Sequence, residues 1–178
     1  MNHLFEAGKF FSVPDGTRVA PLFNPFAANA PALPPDAFGT ASLALGEIPP
    51  GVASRPHLHP VVSQIAWVLE GSLLVRMKGS SDTQAYELKV AAGQAVLTEP
   101  MTLLQLVNPD RRRPARTLYV VTPPYVSLPE DGYDDAVVLE QDWEALAENG
   151  FPMPRIDLDA VGQRRLAALE RLRAIRAA

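Results

Sequence analysis

Between residues 40 and 122 the chain is cut into short apolar runs by turn signals at regular intervals. The runs 40–48, 62–70, 73–78, 84–90, 94–98, 101–107 and 115–122 are each strand-length, and several alternate apolar with polar residues. Leu73, Val75 and Met77 oppose Leu74, Arg76 and Lys78, for example. Pro49-Pro50-Gly51, Glu70-Gly71, Gly79-Ser80-Ser81-Asp82, Ala91-Ala92-Gly93, Glu99-Pro100 and Asp110–Pro114 separate them. A period of two needs a pleated strand with one buried face. Many short strands with turns between them predict a sandwich or barrel.

One stretch in this series carries chemistry. Gly51–Gly71 reads GVASRPHLHPVVSQIAWVLEG and holds two of the chain's three histidines, His57 and His59. On a strand, residues i and i+2 share a face. Two imidazoles on one face can share a metal ion, since the neutral ring nitrogen is a common ligand. Alone, such a pair reads better as two polar side chains at a strand end with no ligand. The third histidine, His3, is expected to be a solvated terminal side chain.

The spacing of this stretch resembles the first signature of the cupin superfamily: Gly, five residues, His-any-His, four residues, Glu, six residues, Gly. It falls on Gly51, His57, His59, position 64 and Gly71, with Gln64 in place of the glutamate. Gly93–Asn108 resembles the second signature in its glycine and asparagine. There Glu99 replaces a proline, Met101 a glycine and Leu104 the third histidine. The resemblance spans roughly residues 40–122. It implies an all-β cupin barrel, a double-stranded β-helix or jelly roll, over 39–126. An N-terminal arm (1–38) and a C-terminal helical extension (127–178) would flank it. It also implies a divalent metal, iron first, with nickel, manganese, zinc or copper as alternatives. His57 and His59 would be ligands and Gln64 a weaker amide-oxygen donor. Leu104 cannot coordinate. Gln105 would reach the site only if a bulge reversed strand parity. Trp67, Met77, Leu104 and Tyr119 are candidates for the pocket wall, with Tyr125 a further aromatic. Glu47 and Glu99 are expected to be rim charges, and Arg76 and Lys78 solvated.

The resemblance further implies small-molecule metalloenzyme chemistry. Non-haem oxygenase activity leads, a metal-dependent isomerase, cyclase or lyase follows, and a ligand-binding cupin without functional metal is the rival from another class. No nucleophilic triad and no glycine-rich phosphate loop can be assembled from the motif spacings. There is no cysteine, which removes disulfides and thiolate ligands. The net charge of −4 carries no electrostatic footprint for nucleic acid. No apolar run reaches the roughly 20 residues of a membrane span. The expected setting is cytoplasmic.

Outside the strands, 18 prolines in 178 residues point to loops and strand ends. Leu4, Phe5, Phe10 and Phe11 can add a strand or cover a barrel end. Asn24–Asp36, rich in Pro and Ala, reads as an extended strap. In the tail, Gln141–Glu148 has a helical pattern stopped by Asn149-Gly150. Residues 157–177 space Leu158, Val161, Leu166, Leu169, Leu172 and Ile175 at helical intervals, with Asp157 or Asp159 as the cap. That apolar stripe must bury against the barrel or a second subunit. Edge strands, the helix stripe and the aromatic arm together favour a homodimer.

Overall fold

The structure, a computed structural model, describes residues 4–27, 30 and 40–177. His3 and most of the expected strap (28–29 and 31–36) lie outside the described residues. In chain order the strands are β1 (Phe11–Ser12), β2 (Arg18–Phe23), β3 (Ser42–Ile48), β4 (His57–Leu58), β5 (Ser63–Glu70), β6 (Ser72–Lys78) and β7 (Tyr86–Ala91). Then come β8 (Ala95–Thr98), β9 (Leu103–Val107), β10 (Ala115–Thr122), β11 (Ser127–Leu128), β12 (Tyr133–Asp134) and β13 (Val137–Val138). Two helices follow, α1 (Trp143–Glu148) and α2 (Leu158–Ala177).

Six strands form one sheet in the order β1-β2-β3-β10-β5-β8, and five form a second in the order β13-β4-β9-β6-β7. Both sheets contribute to one core that includes Ala66, Val68, Leu73, Val75, Met77 and Leu106. This is a double-stranded β-helix of cupin type, mostly strand with a C-terminal helix. The alternation read from the sequence is the phase of the sheets: in β6, Leu73, Val75 and Met77 are buried. Gly71 turns the chain between β5 and β6 at φ 78°, a left-handed conformation that side chains resist.

Residues 11–23 are not separate from the barrel. The β1–β2 hairpin extends the six-stranded sheet by pairing β2 antiparallel with β3. At the other end, α1 is capped by Asp142, whose side chain accepts from Ala145 N at 2.8 Å. Its Trp143 and Leu146 pack with Leu103. Helix α2 begins after Asp157, whose side chain accepts from Ala160 N at 3.0 Å. The expected continuous stripe on α2 is only partly buried. Ala168, Leu169 and Leu172 pack against Val126, Leu128 and Tyr133, whereas Leu158, Leu166 and Ile175 are exposed. The apolar contact is one short patch, joined by Phe26, and α2 makes polar contacts besides it, among them Arg165 to Asp135 and Pro124, and Arg176 to Pro25 O and Ala30 O.

A buried ion pair pins that patch. The Asp135 carboxylate has no exposed side-chain surface and meets Arg165 Nε of α2 at 3.0 Å. It also accepts from Val126 N at 2.8 Å and from the Tyr133 hydroxyl at 2.7 Å. Arg165 Nη2 donates in addition to Pro124 O at 2.6 Å. Arg165→Met leaves this carboxylate buried without its cation. The expected loss is about 3–5 kcal/mol of unfolding free energy in chemical denaturation, with a smaller loss for Arg165→Lys. A loss below about 1 kcal/mol would place the pair among ordinary surface bridges and contradict its structural role.

Candidate ligand and metal site

A cavity of about 480 Å³ opens beside the core on the inner face of the six-stranded sheet. The β1–β2 hairpin supplies one wall, with Phe11, Val19 and Phe23, and the 125–138 segment supplies another, with Tyr125, Asp134 and Val138. His57, His59 and Gln64 all line it. The sequence spacing thus brings these three side chains to one place.

The two histidines are held alike. His57 Nδ1 lies 2.9 Å from Arg55 O, and His59 Nδ1 lies 3.2 Å from Asp135 O. A carbonyl only accepts, so the tautomer these contacts select has its proton on Nδ1 and a lone pair on Nε2. The rings stand edge to face with centroids 5.5 Å apart. His59 is 5% exposed, and its Nε2 is buried with no hydrogen-bond partner. Burial first, and then the neighbouring His57, push the His59 pKa down to about 3. Its contact with Asp135 O works weakly the other way. The ring is therefore neutral through the physiological range.

Asp15 completes this corner, and the sequence pattern did not expose it. It sits in the turn between β1 and β2, is 9% exposed, and lines the cavity. Its Oδ1 accepts from Thr17 N at 2.9 Å and from the Thr17 hydroxyl at 2.8 Å. Its Oδ2 lies 3.8 Å from His57 Nδ1. Its carbonyl accepts from Arg55 N at 2.6 Å, which ties the hairpin turn to the strand carrying His57. The available signal was Val13-Pro14-Asp15-Gly16-Thr17, a turn sequence between two apolar runs. On the opposite wall, Tyr125 donates to Asp134 Oδ1, and the Ser127 hydroxyl donates to Asp134 Oδ2 at 2.7 Å. Burial, followed by Asp134, raises the Tyr125 phenol well above its ordinary value, so it stays protonated. Tyr119 lies across Gly46, where an added Cβ would stand 2.2 Å from its Cε2. Only glycine leaves room for that ring, which forms part of the cavity wall.

Several expectations are corrected by strand parity. Trp67 is 46% exposed on the outer face of β5 and does not line the cavity. Gln64 and Trp67 are three residues apart on one strand, so they cannot share a face. Met77 and Leu104 point inward, but into the close-packed core, and the cavity wall is made by Leu106. Leu104 stands opposite His57 across β4 and β9, so hydrocarbon fills the place where the signature has its third histidine. Gln105 faces the other way. Its Nε2 donates to Ser54 O at 2.8 Å and its Oε1 accepts from Arg76 Nη1 at 3.1 Å. No bulge reverses its parity, and it does not line the cavity. Lys78 is buried rather than solvated, with Nζ donating to Gly79 O at 2.9 Å. Glu47 pairs with Arg18 at 2.6 Å away from the cavity.

The comparisons with known proteins bear on the fold. Residues 44–121 match the profile of the cupin domain family. Solved structures of the same fold include the capsular polysaccharide assembling protein CapF from Staphylococcus aureus. It matches at 14% identity and TM-score 0.55, over 79% of this chain and 33% of that one. KdgF from Halomonas sp. matches at 14% identity and TM-score 0.52, over 69% and 94%. The CENP-C cupin domain from Drosophila melanogaster matches at 14% identity and TM-score 0.52, over 66% and 71%. The chain spans about a third of CapF, and at these identities the likeness is one of fold alone. No curated protein matches the chain in sequence.

The His59 shift makes stability pH-dependent in the metal-free protein. The unfolded ring titrates near 6.5 and the folded ring near 3, so between these values the unfolded chain binds the extra proton. Stability from this group is complete above the unfolded value and is lost as pH falls through the window. Denaturant melts at a series of pH values should show the wild type losing more stability on acidification than His59→Gln. Equal losses would show that the ring is not held neutral.

Proposed function

We propose that this cupin binds a small organic molecule in the cavity and holds a divalent metal ion beside it on His57 and His59. Gln64 would serve as a third, amide-oxygen donor. The observation that carries this reading is the pair of Nδ1 contacts to backbone carbonyls in two histidines that line one cavity, with the buried Nε2 of His59 left without a partner. A backbone carbonyl behind each ring is the support that metal-binding histidines usually have. The donor set is sparse. Among the described residues no group of three His, Cys, Asp or Glu side chains is placed to hold an ion. Two imidazoles and an amide therefore suit a weakly held, exchangeable ion with open positions.

Bound there, the ion would supply Lewis acidity or redox capacity. Iron and non-haem oxygenase chemistry lead, with isomerase or lyase chemistry next. The chain's own groups define the rest. His57 and His59 hold the ion, and the apolar walls shed water. The protonated Tyr125, backed by Asp134, can donate only if it breaks its bond to that carboxylate. The outer face of the six-stranded sheet, with Ile65, Trp67, Leu69 and Leu97 exposed beside the Arg18–Glu47 pair, supports self-association into a homodimer.

A second reading is a ligand-binding cupin without functional metal, favoured by Leu104 in the place of the third histidine. Elemental mass spectrometry on the purified full chain separates the two. About one ion per chain is expected in the wild type and none in His57→Ala/His59→Ala, with Gln64→Glu binding more tightly. No metal in the wild type, even after loading with iron, nickel, zinc or copper, would leave only the binding-pocket reading.

A further inference from the structure

The charges on the cavity wall are all of one sign. Asp15 and Asp134 line it, and no lysine or arginine does among the described residues. The two carboxylates differ in what they still lack. Both oxygens of Asp134 accept hydrogen bonds, from Tyr125, Ala136 N and the Ser127 hydroxyl. Asp15 is satisfied on Oδ1 alone, by Thr17. Its Oδ2 has only His57 Nδ1 at 3.8 Å, beyond hydrogen-bond reach, and that Nδ1 is already turned to Arg55 O.

In the metal-free protein a second observation points the same way. His59 lines the same cavity, and its Nε2 is buried with no partner. Both groups are acceptors: the buried His59 nitrogen lacks a donor at a cost in free energy, and Asp15 Oδ2 keeps some exposure through which a ligand can reach it. The complement that satisfies them brings N–H donors and positive charge. The carbon skeleton has its own place against Phe11, Val13, Val19, Phe23, Val121 and Val138.

We infer that the cavity takes an organic amine, with the protonated amino group on Asp15 Oδ2 and an apolar body against the hairpin wall. This rests on the reading of the cavity as a small-molecule site, and it names the class of molecule. Anionic ligands are disfavoured in the metal-free protein, because nothing positive on the wall receives them.

Three probes of one shape test it: cyclohexylmethylamine, cyclohexylmethanol and cyclohexanecarboxylate, cation, neutral and anion. Isothermal titration of the full chain, stripped of metal with chelator at about pH 7.5, compares them where the amine is protonated and the acid ionised. The amine is expected to bind about tenfold or more tightly than the carboxylate. In Asp15→Asn, which keeps an oxygen for Thr17, that preference should shrink to within about threefold. The wild-type comparison stands even if the variant fails to fold. Equal or tighter binding of the carboxylate overturns the amine assignment and leaves the small-molecule reading intact. An amine preference that survives in folded Asp15→Asn overturns the role of Asp15. Binding of none of the three overturns the small-molecule reading and this one together.

Discussion

Asp135 is the point on which the tail, the cavity wall and the histidine pair converge. Its carboxylate receives Arg165 from α2, Val126 N and the Tyr133 hydroxyl, and its carbonyl receives His59 Nδ1. A carboxylate with no exposed surface is tolerable only when its lone pairs are met by donors and its charge by a cation. Those conditions join a helix more than 20 residues away in sequence to the orientation of one imidazole ring. The 124–138 segment has little regular structure of its own, and the pair gives it a fixed position. Tyr125 and Asp134 owe their place on the cavity wall to that anchor.

How much of this was legible in the sequence depends on the range of the forces involved. Strands β3 and β5 to β10 follow from periodicity, because a half-buried strand writes its two faces into alternate residues. His57, His59 and Gln64 were legible because their spacing is local and their parity follows from one strand and its flanks. The rest of the site is made of contacts that no local rule encodes. Asp15 reaches His57 from a hairpin some 40 residues earlier, and Asp135 supports His59 from 76 residues later. The errors have the same origin. Trp67 looked like a wall residue for its chemistry, but the phase set by Gln64, Ala66 and Val68 sends it outward.

The second signature shows which parts of a motif are structural. Asn108 is buried, and its Nδ2 donates to Ile48 O at 3.0 Å and to Arg113 O at 2.9 Å, so it stitches the β3 end to the charged loop. Met101 stands where the signature has glycine and still adopts φ 61°, the left-handed turn that glycine would adopt freely. The backbone demands of the motif thus persist although its metal-binding histidine is replaced by Leu104. Scaffold and chemistry are separable here at the level of single residues.

The cavity wall is partly borrowed from outside the repeating part of the barrel. The β1–β2 hairpin and the 124–138 segment carry much of its apolar and acidic lining, while β3, β5, β9 and β10 and the histidine pair supply the rest. Sequence drift in those two flanking stretches can therefore retune what the protein accepts without disturbing strand register. A designer seeking a new ligand would graft the hairpin and the tail segment and leave the barrel alone.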